Sequence, residues 1–275
     1  MNYFSKLFTL LSVYEHQEKI SPKELKSDAL PLMDWLYNFA FYSAADKSSA
    51  NKLIKRTYFK ALEYFDKTRG GADYKTWMLR VLLNRIYEFY SKEREIQKNE
   101  LDNEDLFFLT ALSEDRLLQI NESIMPSINQ KKILEILKRI PIDLRLPLIF
   151  QVALKYNYEL SAEYIDIPAG TIASRIFRAR KWIFNELFTD NKIDGTHPKL
   201  EYKEMKLISA EADGEQFEMG NFSLNNFAKE LLIQQIIKKL LEKYLTPFEA
   251  PGRIKSKFTR KINKLIRKSE KLNQS

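Results

Sequence analysis

Apolar residues recur at helical spacing along most of the chain, and no convincing alternating run marks a strand. The pattern predicts an all-helical protein. It is sharpest after Pro168, a residue suited to the first turn of a helix, where its missing N–H costs nothing. From there Ile172, Ile176, Ala179 and Ile183 make one apolar stripe. Thr171, Ser174, Arg175, Arg178 and Lys181 fall on the opposite side. Upstream, Tyr158 to Tyr164 reads as a short helix, and Ile165-Asp166-Ile167 as the turn between the two. A short helix, a tight turn and a longer helix with a basic outer face is the layout of a helix-turn-helix. The same pattern, taken alone, equally fits an amphipathic helical hairpin with a solvated basic face.

The N-terminal part predicts more helices. Met1 to Lys19 is apolar enough for a docking helix, and Ser21-Pro22-Lys23-Glu24 marks a helix start. Leu32 to Ala40 is strongly apolar. Asp46 can cap the next helix, Ser48 to Phe65, and Thr68-Arg69-Gly70-Gly71 breaks the pattern. A third helix opens at Tyr74 and runs to about Arg94. Its stripe is Met78, Val81, Leu82, Ile86 and Phe89, while Arg80, Asn84, Tyr87, Glu88 and Ser91 project the other way.

Residues 96–130 read as a joining segment, although Leu106 to Leu112 is too apolar for a freely solvated linker. Thr189 to Tyr202 reads as a second linker. From Glu204 a helical extension follows, with Leu231, Leu232, Ile236, Leu240, Leu241 and Tyr244 for a core. Its last part, Pro251 to Ser275, is an amphipathic helix of many lysines and arginines against a single Glu270. We expect it to dock on the protein's own body. A DNA backbone is the next choice of surface, and a membrane the last.

Composition narrows the functional classes. The 275 residues carry a net charge of +8, which favours an acidic partner such as nucleic acid. With no cysteine there is neither a disulfide frame nor a thiolate zinc site, and His16 and His197 are too few for a histidine metal site. No phosphate-cradling glycine loop, carboxylate cluster or nucleophile triad stands out, so we expect a non-enzyme without cofactor or metal. The apolar run near the start lacks a small-residue cleavage site and is too short to span a bilayer, which predicts a cytoplasmic protein.

The stretch from Leu144-Arg145 through Leu148, Ile149 and Phe150, then Tyr158-Glu159 and Ala162-Glu163, to Ile167 through Arg180 carries a specific pattern. It resembles region four, the C-terminal DNA-binding region, of bacterial sigma factors of the extracytoplasmic-function (ECF) type. Tyr74, Trp77-Met78, Arg80-Val81, Asn84 and Glu88 resemble region two of the same family. The resemblance implies four parts: a region two-like helical domain over 1–95, a linker over 96–130, a region four-like helix-turn-helix domain over 131–190, and a C-terminal helical extension over 204–275. It implies promoter DNA as ligand, met by Thr171, Ser174, Arg175, Arg178 and Lys181 in region four. In region two Tyr74, Arg80, Asn84, Tyr87 and Ser91 would meet the opened strand, the two tyrosines by stacking on bases.

It also implies core RNA polymerase as partner, at Asn51, Lys52, Lys55 and Arg56. There the chain departs from the family, because an acidic docking face has become basic. A degenerate sigma that no longer binds polymerase and titrates a partner is therefore the alternative, and a plain helix-turn-helix repressor is a third. Finally, Leu207-Ile208-Ser209-Ala210, followed by Asp213-Gly214-Glu215, resembles the opening of anti-sigma domains. A further partner is then an anti-sigma factor or the chain's own extension. Without cysteine such a domain must be zinc-free and hold by packing alone.

Overall fold

The computed structural model describes residues 22–64, 74–92, 117, 119–120, 128–188, 200–215 and 224–272. The Met1 to Lys19 helix, the Thr68 to Gly71 break and the Leu106 to Leu112 patch lie outside these residues, as does most of the Thr189 to Tyr202 linker. Among the described residues every regular element is an α-helix and no strand is present, as the sequence pattern predicts. The chain forms two compact units, one of residues 1–41, 47–89 and 247–275, the other of 42–46 and 90–246.

The first unit holds α1 (Pro22–Ala29), α2 (Met33–Ala44) as far as Phe41, α3 (Lys47–Tyr64), α4 (Tyr74–Phe89) and the last helix of the chain. Its core is made by Met33, Leu36, Leu53, Ile54, Met78, Leu82 and Ile86, all buried. Tyr58 Oη donates to the Ala29 carbonyl at 2.7 Å, fixing α3 against the end of α1.

The second unit holds α5 (Gln130–Arg139), α6 (Ile142–Ala153), α7 (Tyr158–Ile165), α8 (Ala169–Phe188), α9 (Tyr202–Asp213) and α10 (Leu224–Tyr244). The remaining helix, α11 (Gly252–Leu272), belongs to the first unit, so the extension is shared between the two. Local chemistry sets the boundaries. Asn157 Oδ1 accepts from Leu160 N–H at 2.9 Å and starts α7. Asp166 ends α7 with φ 58° and ψ 48°, a left-handed turn that aspartate tolerates. The chain then enters α8 at Ala169. Pro168 thus stands just ahead of the helix, not in its first turn, and its carbonyl accepts from Thr171 N–H at 2.8 Å.

The buried guanidinium of Arg145, on α6, donates to the Ser43 carbonyl at 2.6 Å and to the Ile140 carbonyl at 2.7 Å. The first of these bonds ties residues 42–46 to the rest of the second unit.

Candidate nucleic-acid interface

The helix-turn-helix is present as α7, the Asp166 turn and α8. Its apolar stripe lies where the periodicity puts it, with Ile172, Ile176, Ala179 and Ile183 fully buried. The basic side does not. Ser174 and Lys181 are fully buried, Arg178 is 8% exposed, and only Thr171 and Arg175 are half-buried. The expectation that Ser174, Arg178 and Lys181 face solvent is therefore corrected. The physical reason is a second apolar stripe on α8, Ala173, Phe177 and Phe184, one step around the helix from the first. It needs cover of its own, and α9 and α10 supply it. Phe177 packs with Leu200, Met205 and Ile208, and Phe227 and Leu231 of α10 close over this cluster.

The cations beside that stripe meet carboxylates of the extension. Lys181 Nζ lies 2.6 Å from Glu230 Oε1, both side chains being almost wholly removed from water. Burial pulls the Lys181 ammonium below its ordinary pKa, and Glu230 pushes it back up without cancelling the effect. Arg180 Nη2 lies 2.7 Å from Asp213 Oδ1 and is fully buried. Asp213 is a hub. Its Oδ1 also accepts from Gln151 Nε2 at 3.1 Å and sits 3.3 Å from Lys238 Nζ, and its Oδ2 accepts from the Tyr158 hydroxyl. Gly214 follows with φ 73°, a left-handed cap that ends α9. Glu215 then accepts from Tyr158 N–H at 3.3 Å, at the start of α7. The Asp213-Gly214-Glu215 motif thus grips the helix-turn-helix from outside.

The N-terminal turn of α8, the part a helix-turn-helix presents to base edges, is covered too. Tyr202 Oη lies 3.3 Å from the Gly170 carbonyl and 3.3 Å from Thr171 Oγ1. Lys206 lies over the Tyr202 ring at 4.4 Å, and a methyl at Gly170 would meet its side chain at 2.9 Å. Ser174 Oγ is turned back onto the Thr171 carbonyl at 3.1 Å. Arg175 lies 3.9 Å from Asp143.

In the first unit, Lys52 and Arg56 on α3 are exposed and Lys55 is half-buried, while Asn51 accepts from the Tyr37 hydroxyl at 3.1 Å. On α4, Arg80, Asn84 and Tyr87 are half-buried, and Ser91, just beyond it, is exposed. Tyr74 is the exception to the stacking expectation. It is 9% exposed, and its ring lies against Trp77 with centroids 5.4 Å apart, so its face is not open to a base. Sequence reasoning missed Arg180, Asp213, Glu230 and Tyr158 as a group. The Asp-Gly-Glu motif and the Ala173–Phe177–Phe184 spacing were the signals available.

Among the described residues no cluster of histidine and carboxylates is placed to hold a metal, and no described helix is long and apolar enough to cross a membrane. One chemical consequence is directly measurable. Lys181 should resist amine-reactive labelling in the free protein under conditions that modify Lys155, whose side chain is 63% exposed. Equal labelling of the two, read by mass spectrometry, would contradict the covered α8 face.

Comparison with known proteins agrees with the sequence pattern. No family model matches the chain. The ECF RNA polymerase sigma-E factor of Haemophilus influenzae is 28% identical over 141 residues, 49% of this chain and 72% of the relative. The sigma-E factors of Salmonella typhimurium and Escherichia coli K12 are each 25% identical over 142 residues, with the same coverage. Among solved structures, the sigma factor RpoE in complex with the anti-sigma factor NepR, from Bartonella quintana, is 25% identical. It matches with a TM-score of 0.42 over 62% of this chain and 99% of that one. Over about half its length this chain is thus similar to extracytoplasmic-function sigma factors of RNA polymerase, in agreement with the motif read from the sequence.

Proposed function

We propose that the chain is an ECF-type sigma factor that binds core RNA polymerase, directs promoter recognition and transcription initiation, and is restrained by its own extension. The observation that carries this reading is the burial of α8 cations on carboxylates of α9 and α10: Lys181 on Glu230 and Arg180 on Asp213. A helix needed only for packing has no use for buried lysine and arginine, whose desolvation several apolar residues would avoid. Arg180 also leaves its Nε and Nη1 without a hydrogen-bond partner among the described residues. Such a face gains by exchanging a carboxylate for a phosphate in water. Glu230 and Asp213 then act as stand-ins for the DNA backbone. Arg178 and Lys181, with Thr171 and Ser174 beside them, are the contacts released when α9 and α10 leave, and Arg175, which lies on Asp143 of α6, adds to them. Arg80, Asn84 and Tyr87 on α4, with Ser91 just beyond it, meet the opened downstream element. Buried Tyr74 holds α4 in place for them.

A second reading rests on the exposed Lys52 and Arg56. A basic surface in place of the family's acidic docking face suits a sigma-like protein that titrates a partner and leaves polymerase alone. Co-elution with purified core polymerase separates the two. The initiation reading expects the full chain to co-elute, and Lys52→Asp/Arg56→Glu to bind at least about tenfold more weakly. Failure of the unaltered chain to co-elute at micromolar concentration would move the assignment to the titrating role.

A further inference from the structure

The helix α11 is set firmly on the first unit. Asn38 Nδ2 donates to the Phe248 carbonyl at 2.6 Å, and Asn38 Oδ1 accepts from Phe248 N–H at 2.9 Å. Asp34 accepts from Ala250 N–H at 2.7 Å and pairs with Lys255 Nζ at 2.8 Å. The Phe248 ring meets Tyr37 and Phe41 edge-on. Ile254, Phe258 and Ile262 are buried, and the Phe258 ring lies 5.0 Å from Tyr58 and 5.3 Å from Phe59.

With its apolar side committed, α11 turns the other side outward. Arg253, Lys257, Arg260, Lys264 and Arg267 are all exposed, at alternating spacings of four and three residues, which places them in one row. At about 1.5 Å per residue the row is roughly 21 Å long. Among the described residues none of the five has an ion-pair partner. Among the described residues Glu249 and Asp34 are taken by Lys255, and Glu270 is exposed.

The chemistry of this row selects its ligand. A membrane-lying helix must insert an apolar face, and here that face is already buried in the protein. A partner helix in a groove needs apolar anchors, and the exposed positions of α11 offer none. Phe59, the aromatic ring in the seam between α3 and α11, has the Lys261 ammonium 3.9 Å from its centroid, so its face is not a platform for a base. What remains is a line of guanidinium and ammonium groups without base readout. Arginine forks fit phosphate oxygens two at a time. We propose that the outer face of α11 is a sequence-independent binding site for the phosphodiester backbone of DNA, carried by the first unit and separate from the helix-turn-helix. This inference stands apart from the sigma-factor reading, since it needs neither polymerase nor a promoter.

The test uses the full chain and a labelled duplex of about thirty base pairs with no promoter sequence, followed by fluorescence anisotropy at several salt concentrations. Arg253→Ala/Arg260→Ala/Lys264→Ala/Arg267→Ala is compared with the unaltered chain. Because all four side chains are exposed, thermal melting should be unchanged. At low salt the affinity should fall at least about tenfold, and the slope of log K against log salt should become shallower by about 3 to 4, near 0.9 per lost phosphate contact. A single-stranded oligonucleotide of the same length should lose affinity in the same variant, with a slope change nearer 0.7 per contact. Unchanged affinity and slope on both nucleic acids would overturn the proposal. So would tighter binding of the unaltered chain to polyglutamate, or to phosphatidylserine vesicles, than to either nucleic acid.

Discussion

Asp213→Ala is expected to destabilise the second unit by about 3 to 5 kcal/mol, the range for removing one partner of a buried ion pair. Asp213 receives Arg180, Gln151, Lys238 and the Tyr158 hydroxyl at once. Without it, the fully buried Arg180 has no anion, and its Nε and Nη1 already lack partners among the described residues. A whole domain is stable by only about 5 to 15 kcal/mol, so the midpoint of urea unfolding should drop steeply. Asp213→Asn keeps an acceptor for the tyrosine but loses the charge, and should fall between the two. A loss below about 1 kcal/mol in the alanine variant, typical of an exposed pair, would show that Asp213 does not hold α9 to the helix-turn-helix.

The second large effect concerns Glu230. Burial already depresses the Lys181 pKa despite the carboxylate 2.6 Å away, so the pair contributes little beyond offsetting its own desolvation. Glu230→Ala leaves a lone buried ammonium. It is relieved by loss of the proton or by hydration, and the hydrated route moves α10 off α8. Duplex binding through α8 should therefore strengthen, by about tenfold if the change shifts the open population by some 1.4 kcal/mol. Lys181→Met/Glu230→Leu makes the opposite change. It fills the same space with apolar groups, and such replacements are commonly neutral or stabilising by about 1 to 4 kcal/mol. The double variant should keep α8 covered and gain nothing in binding. With α11 intact in both, the difference between them reports on α8, and Lys181→Met alone gives the part owed to the lost lysine contact. Equal DNA affinity, measured at one salt concentration, would remove Glu230 from the restraint.

Much of the architecture is legible in the sequence because it is local. The short helix from Tyr158, the turn at Asp166 and the stripe of Ile172, Ile176 and Ile183 all follow from spacing and turn chemistry within thirty residues. The start at Pro22 and the amphipathic helix after Pro251 are read in the same way. What was lost depends on partners far along the chain. Lys181 and Glu230 are 49 residues apart, and Arg180 and Asp213 are 33 apart, so no local period joins them. A lysine opposite an isoleucine stripe is indistinguishable from a solvated one until α10 is placed over it. The second stripe of Ala173, Phe177 and Phe184 was visible at helical spacing. Arginines and a lysine are interleaved with it, so spacing alone does not set it apart from a polar face. Tyr74 failed for a related reason, since an aromatic near a helix start packs or stacks according to neighbours that only the tertiary structure supplies. The extension reads as one segment in sequence, yet α9 and α10 serve the second unit and α11 the first.

Promoter-dependent run-off transcription with core polymerase probes the proposed restraint on α8 most directly. The unaltered chain is set beside Asp213→Ala/Glu230→Ala at equal concentration, with folded fraction matched by circular dichroism. Several-fold more transcript is expected from the double variant, because its α8 cations are no longer held on the chain's own carboxylates. Equal or lower output from a folded double variant would contradict it.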